Sequence, residues 1–230
     1  MALAIFDLDN TLLAGDSDYL WGEFLVEKGV VDGEWYRKEN ERFYRQYKLG
    51  RLDIFEFLRF SLKPLRENRP EKLWQWRKEF LDRKIAPLIG AEARRLVERH
   101  REAGDQLLII TATNAFVTAP IAQKFGIDHL IATEPETLDG HYTGEVASEP
   151  SFREGKVKRL HAWLDEHQQN LHGSWFYSDS HNDLPLLEQV DNPVAVDPDE
   201  TLKRIAQERN WPILQLHGLN VQAIDPAHDG

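Results

Sequence analysis

The sequence predicts an α/β protein: a Rossmann-like parallel sheet core with helices on both faces, and a four-helix cap inserted after the first strand. Three observations predict it. Leu3-Ala4-Ile5-Phe6 is a short apolar run that breaks off at Asp7 and Asp9, as suits a strand buried on both faces. Comparable runs follow at Gln106 to Ile110 and Trp175 to Ser178, each closed by a polar residue and separated by helical periodicity. That alternation is the signature of a parallel sheet with right-handed crossovers. Between the first two runs, residues 15–86 carry helical spacing only.

In order along the chain, Gly15, Asp16 and Ser17 make an N-cap for a helix over Asp18 to Lys28, closed by Gly29. Gly33 to Leu49 is a long charged and aromatic helix ending at Gly50. Leu52 to Leu62 places Ile54, Phe55, Leu58 and Leu62 at helical spacing and stops before Pro64. Pro70 opens the fourth helix, Glu71 to Ile85. Residues 1–14 and 87–230 are thereby assigned to the core and 15–86 to the cap. Within the core, helices are expected at Ala91 to Ala103, Asn114 to Phe125, Glu154 to Gln168, Asp183 to Gln189 and Glu200 to Arg209. Short strands are expected at His129 to Ala132 and Pro193 to Val196, and a hairpin over Thr133 to Val146 turning at Asp139-Gly140. The tail from about Gly218 is expected to be loose.

Composition narrows the function. A net charge of −11 argues against nucleic acid or an anionic membrane as partner, and the 41% apolar share supports a substantial core. The absence of cysteine excludes disulfides and thiolate metal sites. No run reaches membrane-spanning length and the N-terminus lacks a signal pattern, so a cytoplasmic enzyme is expected. Nothing in the sequence specifies an oligomeric state.

The chemistry gathers at the predicted strand ends, where open α/β sheets bind their ligands. If the chain stays extended, Asp7 and Asp9 point the same way. One carboxylate then suits a nucleophile and the other a proton carrier. Read alone, Asp9-Asn10-Thr11 suits a turn or a helix cap equally well. Thr111 ends the second strand, where its hydroxyl can bond a phosphate oxygen beside the next helix start; the competing reading is a capping threonine. Lys156, at the start of a helix, offers an ammonium to phosphate and carboxylate, although most lysines are simply solvated. Asp179 and Asp183 repeat the opening pattern after Trp175 to Ser178. Four carboxylates on one sheet edge repel unless a cation sits among them, and Mg²⁺ is the usual ion where phosphate is the substrate.

These residues resemble the haloacid dehalogenase superfamily of aspartate-nucleophile phosphatases. Asp7-Leu8-Asp9-Asn10-Thr11 looks like its first motif, Thr111 its second, Lys156 its third, and Asp179 with Asp183 its fourth. The ordered set covers nearly the whole chain. A helical cap after the first motif is similar to the phosphoserine phosphatase-like branch. Ser178-Asp179-Ser180 and Thr111-Ala112-Thr113 depart from the glycine-rich forms usual there. The stretches 6–18 and 177–183 look like a bacterial subgroup that includes histidinol-phosphatases. The resemblance implies that Asp7 attacks phosphorus to form an aspartyl-phosphate and that Asp9 serves as acid, then base. It implies Mg²⁺ held by Asp7, Asp179 and the backbone carbonyl of Asp9, with Asp183 in support.

By spacing from the nucleophile, Asp16 falls where phosphoserine phosphatases bind the substrate amine, with Asp18 close by; Asp16 equally suits a helix cap. Substrate contacts are expected from Asp16, Thr111, Ala112, Lys156 and Asn182. The expected substrate is a small amino-alcohol phosphate such as L-histidinol phosphate, with phosphoserine as the alternative. Arg45, Arg51 or Arg59 would favour phosphoserine if they reached the site, and Trp21, Trp35, Trp74 and Trp76 offer rings for stacking. A non-catalytic binding protein on the same fold is the remaining reading.

Overall fold

The structure, a computed structural model, describes residues 2–218. Its centre is a six-stranded parallel sheet in the order β3-β2-β1-β6-β7-β8. These strands are β1 (Leu3–Phe6), β2 (Gln106–Asn114), β3 (His129–Thr133), β6 (Trp175–Ser178), β7 (Asn192–Val196) and β8 (Ile213–Leu214). Every residue of β1 is buried, which explains its unbroken apolar sequence. Phe6 lies in register with Ile109 on one side and Tyr177 on the other. The chain passes from β1 to β2 on one side and later returns to β6 on the other. The switch point therefore falls beside β1, where a crevice opens beyond the strand ends.

Helices cover both faces. Leu3, Ile5, Leu108, Ile110 and Phe176 pack under α8 (Glu154–His167), α9 (Leu184–Leu187) and α10 (Glu200–Glu208). Ala4, Phe6, Leu107 and Ile109 pack under α6 (Ala91–Glu102) and α7 (Ala115–Lys124). Alternate residues of each strand thus serve opposite layers.

Between β1 and α6 lie the expected helices α1 (Ser17–Glu27), α2 (Gly33–Lys48), α3 (Ile54–Ser61) and α5 (Pro70–Phe80). The last continues through Leu81–Ile85 in a widened turn. A fifth helix, α4 (Lys63–Glu67), is added where the sequence predicted only a stop at Pro64. Proline is accepted in a first helical turn, where its missing N–H has no partner to lose. The insertion carries a small apolar centre of Tyr36, Phe43 and Phe60, and it joins the main core through Trp21, whose ring meets Phe80 at 5.2 Å and Phe116 at 5.7 Å.

The predicted hairpin forms as β4 (Pro135–Leu138) and β5 (His141–Val146), turning through Asp139 and Gly140 at positive φ. β2 runs on to Asn114, beyond the predicted end, with a register shift after Ile110. Asn114, not Thr111, then caps α7 by accepting from Val117 N at 3.2 Å. β8 was not predicted, because two residues carry no periodicity. Among the described residues no helix is long and apolar enough to cross a membrane. The tail expected to be loose beyond Gly218 lies outside the described residues.

Candidate active site

Asp7 follows β1 directly, and its amide donates to Tyr177 O at 2.9 Å. Asp7 and Asp9 have extended backbone, but Leu8 between them is helical, so the pair is not carried by one continuous strand as expected; Asn10 at φ 58° turns the chain back toward Gly15. Both carboxylates nevertheless line one cavity of about 770 Å³, including its mouth, between the strand ends and the inserted helices. Thr111, Ala112 and Thr113 from the end of β2, Lys156 from α8 and Asp183 join them. From the insertion come Asp16, Asp18, Tyr19, Asn40, Phe43, Tyr44, Tyr47 and Phe57.

Lys156 is the hub of the buried end. Its ammonium donates to Asp7 Oδ1 at 2.8 Å and to Asp183 Oδ2 at 2.8 Å, with its side chain only 4% exposed. Glycine is required at position 155, because a Cβ there would lie 2.1 Å from the Pro150 carbonyl oxygen. That approach seats the first turn of α8 against the preceding loop and aims Lys156 into the site. Burial alone would lower the Lys156 pKa, but Asp183 and Asp7 outweigh it and hold the ammonium above the ordinary lysine value.

One cation does not balance the acids. Burial, partly offset by Lys156 and reinforced by Asp183, pushes Asp7 up to about 7. Burial and the neighbouring Asp16 push Asp9 up to about 6, although Ser17 and Thr113 hydrogen bonds oppose them. Asp179 is raised well above the carboxylate range by burial and then by Asp7 and Asp183. The Thr11 hydroxyl lies 3.2 Å from Asp7 Oδ2 and 3.3 Å from Asp179 Oδ1, so one proton is shared between two carboxylates. Donors of this kind, hard oxygens with too little positive charge among them, fit a hard divalent cation. Among the described residues no three His, Cys, Asp or Glu side chains converge tightly enough to cage a metal by themselves. Asp7 and Asp179, joined through the Thr11 hydroxyl, are the donors at hand for such an ion, and Mg²⁺ accepts few protein ligands.

Three polar partners were not singled out from the sequence. The Thr113 hydroxyl donates to Asp9 Oδ2 at 2.7 Å, and the Ser178 hydroxyl donates to Asp183 Oδ2 at 2.7 Å. Thr11 is the shared donor described above. Thr113 and Ser178 were visible only as departures from glycine-rich motifs; here their hydroxyls orient Asp9 and Asp183.

Other expectations are redirected. Asn182 does not line the cavity. Its amide donates to Tyr47 O at 3.2 Å and its carbonyl accepts from Arg153 Nε at 3.1 Å, so it ties the insertion to the core. Arg45, Arg51 and Arg59 are exposed and outside the cavity. Trp21 is core, Trp35 and Trp74 are exposed, and Trp76 packs partly buried against the core; the rings lining the cavity are tyrosine and phenylalanine. Asp16 caps α1, its Oδ1 accepting from Asp18 N at 3.0 Å and Tyr19 N at 2.9 Å, while still lining the cavity.

The profile of the haloacid dehalogenase-like hydrolases matches residues 4–188. A histidinol-phosphatase of Neisseria meningitidis serogroup C (strain 8013) is 47% identical over 216 residues, covering 92% of this chain and 97% of its own length. A phosphoserine phosphatase of Mycobacterium tuberculosis (strain ATCC 25618 / H37Rv) is 33% identical over 218 residues, covering 92% of this chain and 70% of its own. A solved structure from Bordetella pertussis Tohama I, of unknown function, has a TM-score of 0.88 at 45% identity, covering 94% of this chain and 98% of its own. A phosphoserine phosphatase solved as a phospho-aspartyl intermediate analogue has a TM-score of 0.69 at 18% identity, a likeness of fold alone, over 94% and 93% of the two chains. With its strand-end acids, its buried lysine and a profile match over most of its length, the chain belongs to the haloacid dehalogenase-like hydrolase family.

Proposed function

We propose that the protein is a Mg²⁺-dependent phosphomonoesterase acting on a small amino-alcohol phosphate, with L-histidinol phosphate as the substrate. The observation that carries the substrate class is the cavity's charge. Asp16 and Asp18 line it, and among its described lining residues Lys156 is the one cation, already committed to Asp7 and Asp183. A substrate with a cationic body suits those acids. Phosphoserine brings a carboxylate as well, and among the described residues no arginine lines the cavity to receive it. The name of the 47% identical relative supports the same reading.

In this reading Asp7 attacks phosphorus, forming an acyl-phosphate bond as the alkoxide leaves. Asp9 protonates the leaving oxygen, then takes a proton from the water that cleaves the intermediate. Its pKa near 6 suits both duties at neutral pH, and Ser17 N at 2.7 Å and Thr113 hold its two oxygens in place. Lys156 and the Thr111 hydroxyl hold the transferring phosphoryl group. Asp7 and Asp179, with the Asp9 backbone carbonyl, would hold Mg²⁺, and Asp183 would steady the set through Lys156. When bound, the ion offsets the excess negative charge and polarises the phosphate. The inserted helices over residues 15–86 act as a cap that excludes water from the acyl-phosphate.

Phosphate release from L-histidinol phosphate, O-phosphoserine and p-nitrophenyl phosphate, with Mg²⁺ and with chelator, tests this reading. Selective release from L-histidinol phosphate that the chelator removes is the expected result. Preference for O-phosphoserine would transfer the assignment to that substrate.

The raised acids also predict a pH signature. In the unfolded chain Asp titrates near 4, whereas Asp7 and Asp9 titrate at about 7 and about 6 in the fold. The fold binds more protons between those values, so their contribution to stability is whole below about pH 4 and is lost as pH rises through about 6 to 7. Metal-free protein should therefore melt lower at about pH 8 than at about pH 5.5. Mg²⁺ should raise the melting temperature more at the higher pH, because its ligands are then already ionised. An equal Mg²⁺ effect at both pH values would count against Asp7 as a ligand.

A further inference from the structure

Among the described residues five carboxylates line the cavity: Asp7, Asp9, Asp16, Asp18 and Asp183. Four are committed within the protein. Asp7 and Asp183 share Lys156, Asp9 accepts from Ser17 N and Thr113, and Asp16 caps α1 by accepting from two backbone amides. Asp18 differs. Among the described residues its side chain accepts no hydrogen bond and no cation pairs with it, yet it stands in the same cavity. Asp18 is half-buried in the cavity wall, and a partly desolvated carboxylate without a partner becomes more favourable when a ligand brings the missing charge.

Its surroundings narrow the ligand. Tyr19 and Tyr44 line the cavity beside it with ring centroids 5.9 Å apart and planes inclined at 51°. Phe43 and Phe57 continue the apolar wall, edge to face at 5.3 Å. An acid backed by aromatic faces suits a flat or compact cation. Asp16 lies within electrostatic reach of Asp7 and Asp9, and Asp18 within reach of Asp16 and Asp9.

We propose that Asp18, rather than Asp16, receives the cationic end of the substrate farthest from the phosphate, with Tyr19 and Tyr44 as the walls against which that end lies. The inference rests on the amino-alcohol phosphate reading and deepens it by assigning selectivity to one residue. Burial and then the charges of Asp16 and Asp9 raise the pKa of Asp18 well above the carboxylate range, in keeping with an acid that lacks a cation until ligand arrives.

The test compares wild type with Asp18→Asn, Asp18→Glu and Asp16→Asn. It measures kcat and KM for L-histidinol phosphate and p-nitrophenyl phosphate, and the inhibition constant of phosphate-free L-histidinol against the aryl substrate. In Asp18→Asn the preference for L-histidinol phosphate over the aryl phosphate should fall on the order of tenfold or more, carried by KM. The inhibition constant of L-histidinol should rise by a similar factor, and Asp18→Glu should recover part of both. Asp16→Asn should lower the two substrates together, because it loosens the start of α1. Equal loss on both substrates in Asp18→Asn, or an unchanged inhibition constant, overturns the assignment. If wild type shows no preference for L-histidinol phosphate, the substrate reading fails separately. Asp18 is then judged by L-histidinol alone: inhibition weakened in Asp18→Asn supports the assignment, and no inhibition of wild type overturns it.

Discussion

Asp7→Asn is expected to lower turnover of every phosphate monoester on the order of 10⁴-fold or more, since the amide cannot form the acyl-phosphate. The substitution is nearly isosteric, and Lys156 keeps Asp183 as a partner. It also removes a buried carboxylate that titrates at about 7. The metal-free variant should consequently melt no lower than wild type at about pH 8, where wild type has lost its stabilising proton. Mg²⁺ should stabilise the variant far less than the wild type, because one ligand is gone. Activity assays beside thermal melts with and without Mg²⁺ check both halves. Turnover within about tenfold of wild type would remove Asp7 from the nucleophile's role.

Lys156→Met is expected to be the most destabilising single change in the site. The side chains of Lys156 and Asp183 are each 4% exposed and that of Asp7 is 9% exposed, so loss of the ammonium leaves two acids in contact with little water. Removing one partner of such a buried network costs about 3–5 kcal/mol, of which much is the penalty of the unpaired charges left behind. Urea unfolding at neutral pH measures it. Asp183→Asn in the same chain should restore part of the loss by removing one of those charges, and the coupling between the two changes reports their contact. A loss below about 1 kcal/mol would mean that the buried charges are compensated elsewhere. Activity should fall as well, since the same ammonium is assigned to the phosphoryl group.

The frame of this protein is written in local pattern. An unbroken apolar tetrapeptide, Leu3 to Phe6, can satisfy burial on two faces only as a central strand, and all four of its residues are buried. Strands of a parallel sheet end on the same edge, so Asp7, Thr111 and Asp179 had to emerge together once their strands were recognised. Helix spacing between Gly15 and Ala86 was equally plain, apart from α4, where a proline that opens a helix looks the same in sequence as one that ends it. The extension of β2 to Asn114 escaped notice for a related reason: a threonine at a strand end and a capping threonine share one local signature.

What sequence alone determined is thus the sheet, the inserted helices and the acids that close the strands, because each follows from periodicity or from residues adjacent in the chain. Only tertiary structure decided how those acids are used. Lys156 meets Asp7 across 149 positions, Thr113 reaches Asp9 across 104, and Asn182 turns away to bind Tyr47. Which arginines and tryptophans reach the cavity depends on how the inserted helices rotate onto the core. Asp16 and Asp18 are two residues apart on one helix start, alike in composition, and differ in that backbone amides reach one carboxylate and leave the other facing the cavity. Hydrogen-bond partners and burial are properties of the folded packing, and they separate two acids that a linear pattern leaves equivalent.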